Sequence, residues 1–428
     1  MSALRGLARE LQPHGLLYVG DQLVIGTAHH HALFLEQTVH DALGGESLAL
    51  RRQAAFEAAH ALLGPIAAER RAATPTEKLD LAAELFATMG HGHLRFQLGP
   101  EGGVVRAPSL HHAASHLDKY AGRIPSRQPL DAFAAGYCSA AASLAFPSDW
   151  GRLEADEVTC AARGDDACEF ALTRRPERPR FGAVVTRKLV EDAQRARPEE
   201  RDDEAGDADD DAARARRAGS AMLGSLEADE RGLITAWGVH VALVPVSYAG
   251  QITFEAMHLI EKRSPELFPV LEALLREAAQ TGAFHLLGGM LASPELATLA
   301  GPIGKDQHRR LQQLLGLARA LGWGAFTAPE FTPGRSLTLR SPVTHESAYH
   351  SIRHGSTVRN RLPFQQGTAL AIMQLLHRID FGLERPIEAD SYAALFRSGT
   401  RFHVEETQSP LRGDAVCEVR VEALADRW

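Results

Sequence analysis

No apolar run in this 428-residue chain reaches the ~18–20 residues that a membrane-spanning helix needs. Arg5, Arg9 and Glu10 place charges where a signal-peptide core would have to be apolar, so export is not expected and a cytoplasmic location is. There are only four cysteines, Cys138, Cys160, Cys168 and Cys417, too sparse for a disulfide framework and better suited to a reducing compartment. Positive charge is not in excess: 46 Lys and Arg face 54 Asp and Glu, a net charge of −8. The imbalance sits in 199–211 (EERDDEAGDADDD), which leaves the rest of the chain balanced. A balanced body lacks the broad basic footprint by which proteins neutralise phosphates, so direct nucleic-acid binding is disfavoured. The sequence has no phosphate-binding loop, dinucleotide fingerprint or G-x-S-x-G elbow, which removes support for nucleotide-dependent or serine-hydrolase activity.

The chain has 45% hydrophobic and 23% charged residues, the composition of a globular protein, and its length fits two or three domains. From about Arg195 to Gly219 the sequence is charged and built of small side chains. Such a stretch buries too little to offset its ordering entropy and reads as a flexible acidic linker over 176–220. The flanking halves match in one order: LGPI (63–66) with AGPI (300–303), and ELFATMGHGHLRF (84–96) with GLARALGWGAFTA (316–328). RAPSLHHAASH (106–116) follows with RSPVTHESAYH (340–350), then FAAGYCSAAASLA (133–145) with FQQGTALAIMQLL (364–376). Finally RGDDACEF (163–170) matches RGDAVCEV (412–419), after an insertion around 377–403. Five matches in order imply a duplicated module, in domains 1–175 and 221–428.

One module reads as a short hairpin at 15–27, helices at 31–43, 48–63 and 76–89, and a hairpin at 93–97 and 103–107. Helices at 109–119 and 130–145 follow, then strands at 152–160 and 168–173. Thr74-Pro75-Thr76 offers an N-cap for the helix that follows. The expected fold class is α+β: two tandem domains, each a small, mostly antiparallel sheet packed with helices.

Cys160 and Cys168 are eight residues apart across an Arg163-Gly164-Asp165-Asp166 turn, a spacing that can bring two strand ends together. Two thiols are half of a tetrahedral zinc site, and are equally compatible with two buried free cysteines. The ending E-x-x-C-x7-C-x-F (Glu157, Cys160, Cys168, Phe170), preceded by the Gly136-Tyr137 helix, resembles the 4-vinyl-reductase-type small-molecule-binding domain. That domain is similar to aromatic-sensor modules of bacterial activators and to subunits of the TRAPP tethering complex. The resemblance is clearest over 84–173 and extends faintly to 316–424. It implies TRAPP-like domains and a structural zinc held by the two closing cysteines, a Cys in P-x-C-x5-GY and an acidic residue. Carried onto this chain, these become Cys160 and Cys168, Asp131 where the family has Cys, and His111 nearest the acidic ligand's place. Cys138 is an alternative if its helix is rotated. The second copy lacks the site: Ser409 stands for Cys160, and Leu362 or Pro363 for Asp131, so only His345 and Cys417 remain.

Other histidines carry less. In His345-Glu346-Ser347-Ala348-Tyr349-His350 the two His are five apart, off one helical face, which suggests a surface helix. His29-His30-His31 reads as a polar helix start. His91, replaced by Trp323 in the second copy, reads as a packing position. Three functions follow. The resemblance implies a non-catalytic sensor whose first domain binds an apolar small molecule, lined by Phe96, Leu110, Phe133, Tyr137 and Phe170, and signals through a protein partner or homodimer. The same five residues also suit a hydrophobic core. The alternative is a scaffold using a TRAPP-like dimer surface without ligand. The third, an accessory protein of tetrapyrrole vinyl reduction, has no cofactor motif behind it.

Overall fold

The computed structural model describes residues 9–120, 126, 131–148, 151–176, 182, 184–195, 210–304, 306–359, 361–383, 387, 391–395 and 401–424. In chain order the N-terminal half contains β1 (Arg9–Leu11), β2 (Leu17–Val19), β3 (Gln22–Ala28), α1 (His29–Leu43), α2 (Glu46–Glu69) and α3 (Pro75–Thr88). It continues with β4 (Arg95–Gly99), β5 (Gly102–Ala107), α4 (His111–Tyr120), α5 (Ala132–Ala145), β6 (Arg152–Thr159) and β7 (Cys168–Arg175). Two helices follow, α6 (Arg187–Arg195) and α7 (Asp210–Ser225). The C-terminal half comprises β8 (Ile234–Ala236), β9 (Val239–Pro245), α8 (Val246–Arg263), α9 (Phe268–Leu291), α10 (Pro294–Ala300) and α11 (Gln307–Ala320). It ends with β10 (Thr327–Thr332), β11 (Ser336–Ser341), α12 (His345–Arg353), α13 (Pro363–Arg378), α14 (Ser391–Leu395), β12 (Phe402–Gln408) and β13 (Cys417–Ala423). The fold is α+β, as expected, with antiparallel sheets packed by helices.

The two outer sheets share one plan. Their orders are β4-β5-β7-β6 and β10-β11-β13-β12, and every pairing is antiparallel. Behind each sheet a long helix crosses a Gly-bearing one, α2 over α5 and α9 over α13. A Cβ on Gly136 would lie 2.4 Å from the Arg52 carbonyl oxygen, and one on Gly367 would lie 2.4 Å from that of Arg276. Both helix pairs approach so closely that only glycine fits at the crossing.

The third sheet is shared. Its order is β1-β2-β3-β9-β8, and β3 pairs with β9 from Val24↔Pro245 to Ala28↔Val241. Every residue of β3 and β9 is buried. Each half then latches onto the other's hairpin. The Gly26 amide donates to Leu321 O at the end of α11, and the Leu243 amide donates to Met89 O at the end of α3, each at 2.9 Å.

Thr74 caps α3 in a capping box with Glu77, as its sequence predicts. Within the linker expected over 176–220, the described residues are partly helical. α6 and α7 are helical, and α7 packs along α11 through small residues: a Cβ on Gly316 would meet Ala212 O at 2.3 Å. Helix–helix contact supplies the burial that composition alone does not reveal. Residues 196–209, with most of the acidic run, lie outside the described residues, as does part of the expected 377–403 insertion. The surface helix expected at 345–350 is also corrected. α12 begins there, but His345, Glu346 and His350 are buried because α12 packs against α8 and caps α13.

Candidate functional site

The β6–β7 hairpin builds a cluster of donors. Regular alternation would send residues 157 and 160 to opposite faces. Val158 points outward as alternation requires, and a β-bulge between Glu157 and Thr159 then returns Cys160 to the buried side with Glu157. After a 3-10 turn at Ala161–Arg163, Gly164 takes φ +98°, and the Asp165 carboxylate accepts from the Cys160 amide at 2.8 Å. The Ala161 amide donates to Cys168 Sγ at 3.4 Å. The result is a buried Glu157, Cys160 and Cys168 whose ligand atoms all lie within 4.8 Å of one another. Burial, with Cys160 and Asp131 nearby, pushes the Glu157 carboxyl up to about 9, and the Cys160 contact followed by burial pushes up the Cys168 thiol. Two thiols and a carboxylate form a donor set that suits zinc, and a bound cation would reverse both shifts.

The structure thus brings together Cys160 and Cys168 and adds Glu157, which sequence reasoning quoted in the motif without assigning it as a ligand. Asp131 and His111 are outside that group of mutually close atoms. Asp131 is adjacent: its amide donates to Glu157 Oε2 at 2.9 Å, while its Oδ1 caps α5 at the Ala134 amide. Cys138 is buried in α5 and also outside the group. In the C-terminal half the same bulge falls between Glu406 and Gln408, the same turn has Gly413 at φ +95°, and Asp414 holds the Ser409 amide at 2.8 Å. Glu406 accepts from the Arg361 and Leu362 amides there. The hairpin therefore folds without the thiol of Cys160, whose place Ser409 takes.

A second feature lies at the seam between the halves. His31, Ala32, Leu35, Glu36, His91, His111, His112 and Phe133 meet Val244, Tyr248 and Ala249 of the C-terminal half around a cavity of about 20 Å3. That is enough for one water, since a site needs at least ~10–15 Å3 to hold one. His111 is 1% exposed, and neither of its ring nitrogens has a partner. Burial, reinforced by His112 and His91, holds it well below the usual imidazole range, so it is neutral. His91 Nε2 sits 2.9 Å from Leu243 O and must donate, because a carbonyl only accepts. Burial lowers His91 to about 4, so its Nδ1 remains a bare, unpartnered lone pair.

His112 is different. Its Nε2 lies 3.0 Å from Glu36 and its Nδ1 lies 3.4 Å from Asp131. Burial opposes its charge, but the two carboxylates outweigh burial and hold it well above the usual range. Arg51 and the Tyr248 hydroxyl also donate to Glu36, which is brought down to about 2 despite its burial.

Of the five residues expected to line a ligand pocket, Phe133 lines this cavity. Phe96 instead borders an open groove of about 1300 Å3 along α3, β4 and the end of α7. Leu110, Tyr137 and Phe170 are fully buried, with the Tyr137 hydroxyl donating to Ala82 O at 2.8 Å. In the C-terminal half Trp323 stands where His91 does. Its indole donates to Gly26 O at 2.9 Å and packs 5.1 Å from Phe364, centroid to centroid.

No family profile and no curated protein matches the sequence. Among solved structures the chain is similar to the phenol-responsive sensory domain of the transcription activator PoxR, crystallised with phenol. The TM-score is 0.31 and the identity 16%, over 37% of this chain and 80% of that one. Among the described residues no helix is long and apolar enough to cross a membrane.

Proposed function

We propose that this protein is a non-catalytic regulatory protein whose seam cavity binds a small, mostly apolar molecule bearing a hydrogen-bond donor. The reading rests on His111: a neutral imidazole with two unpartnered nitrogens, almost wholly buried in the wall of a cavity, is costly unless something polar visits it. Phe133, Leu35 and Val244 supply apolar wall, and the His91 lone pair supplies an acceptor. A ligand larger than water enters by displacing the neighbouring Phe133 and Tyr248 rings, so binding shifts a population of opened states. Because the wall comes from both halves, occupancy changes how they pack, and a protein partner or second copy reads that change. Thermal-shift and calorimetric titration with phenol beside toluene tests the reading. Phenol is expected to stabilise the parent chain and to lose that effect in His111→Phe, whereas equal responses to both compounds sink it.

The thiol cluster completes the proposal. Glu157, Cys160 and Cys168, with Asp131 beside Glu157 taking a fourth place, hold a structural zinc that clamps the β6–β7 hairpin. The halves, 1–175 and 221–428, are copies of one module, a view supported by their equal strand orders and bulges. A scaffold function without ligand is favoured by one observation: Leu267, Val270 and Leu274 are 49%, 56% and 40% exposed at helical spacing near the start of α9. Light scattering of Val270→Glu beside the parent distinguishes a self-associating surface from an inert one.

A further inference from the structure

Between the thiol cluster and the cavity runs a line of closely spaced buried polar groups. Glu157 accepts from the Asp131 amide, the Asp131 carboxylate faces His112 at 3.4 Å, and His112 faces Glu36 at 3.0 Å. Glu36 accepts from the Tyr248 hydroxyl, which belongs to the other half of the chain. All five side chains are less than 9% exposed, so each has little freedom to move alone. We propose that this run is a positioning link: filling the thiol cluster with a divalent cation fixes Asp131, and through His112 and Glu36 fixes Tyr248 and the docking of α8 on the N-terminal half. The inference rests on the metal reading given above.

The contacts supply the physical reason. Asp131 and Glu36 are met by the cationic partners His112 and Arg51, while Glu157 sits with the thiols and accepts from the Asp131 amide. A cation held by Glu157 and the thiols pins the carboxyl that receives the Asp131 amide, and with it the Asp131 end of the run. Low local dielectric makes such a chain respond as a unit. The C-terminal half is an internal control. Where His112 precedes α5, Glu346 precedes α13, and it turns to cap α13 through the Phe364 and Gln365 amides at 2.9 and 2.8 Å. Leu362 replaces Asp131 at the cap position, and Ser409 replaces Cys160. The half without the thiol pair therefore also lacks the link, so cluster and link occur together.

Hydrogen exchange on the full chain, stripped with chelator and then given Zn2+, tests the link, with bound metal counted by elemental analysis. Zinc is expected to bind at one per chain and to slow amide exchange in 246–253 about tenfold, leaving the start of α13 unchanged. In His112→Phe the zinc is expected to remain while the slowing at 246–253 disappears. Should that variant misfold, Tyr248→Phe removes only the hydroxyl contact and is expected to weaken zinc binding several-fold, by reciprocity. Zinc bound without any change at 246–253, slowing that persists in His112→Phe, or unchanged zinc affinity in Tyr248→Phe overturns the link alone. A parent chain that binds no zinc overturns the link and the metal reading together.

Discussion

At the scale of single residues, side chains three apart in a strand share one buried side only because the strand bulges. The bulge returns Cys160 to the side of Glu157, so both meet Cys168. Replacing Cys168 with Ser removes a ligand from a three-residue set and is expected to abolish stoichiometric zinc on elemental analysis. It should also lower the melting temperature by several degrees, since a lost structural ligand costs about 2 kcal/mol or more at roughly 2–4 °C per kcal/mol for a domain of 150–250 residues. Retention of zinc by the variant would refute the assignment. The cysteines were legible from their spacing across an Arg-Gly-Asp turn. Glu157 was visible in the motif yet unassigned, because the resemblance carried the acidic ligand's place to the neighbourhood of His111. His111 was singled out as a metal ligand, and the fold sets it instead in the cavity wall among imidazoles.

At the scale of elements, close crossing decides more than propensity. Gly136 and Gly367 each face a backbone carbonyl of the crossing helix. An added methyl at either forces α2 from α5, or α9 from α13. Gly136→Ala and Gly367→Ala are each expected to destabilise the protein by about 1–3 kcal/mol, the usual cost of overpacking, despite alanine's better helix propensity. Equilibrium denaturation in urea checks this, and a gain in stability would show that the helices can slide apart freely. The Thr74 cap and the turn at Gly164 were readable because each depends on neighbours close in sequence, whereas the crossing glycines were not, since their partners lie over 80 residues away. β3 and β9 were not paired in advance, since two short apolar runs over 200 residues apart carry no mark of partnership. The cavity was hidden for the same reason: Val244, Tyr248 and Ala249 reach it only once β9 lies beside β3.

At the scale of the whole molecule, buried imidazoles gather around the seam. Burial lowers His31, His91 and His285 to about 4, and His29 and His345 to about 3. Each is neutral when folded and takes up a proton once unfolded below about pH 6.5. The unfolded state therefore binds more protons in this range, and stability is lost as pH falls from about 6.5 toward 4. His112 has the opposite sign: its raised folded value contributes stability below about 6.5 that fades as pH rises through that value. The depressed group is the larger, so calorimetry is expected to show the melting temperature falling between pH 7 and pH 5. An unchanged midpoint would mean that these rings are already charged in the native state. The shared sheet has a further consequence. Because β3 and β9 are buried partners, a protease nick anywhere in 196–209 should leave two fragments that co-elute as one particle on gel filtration. Either fragment produced by itself would present a raw strand edge, and should recover solubility only by capturing its mate.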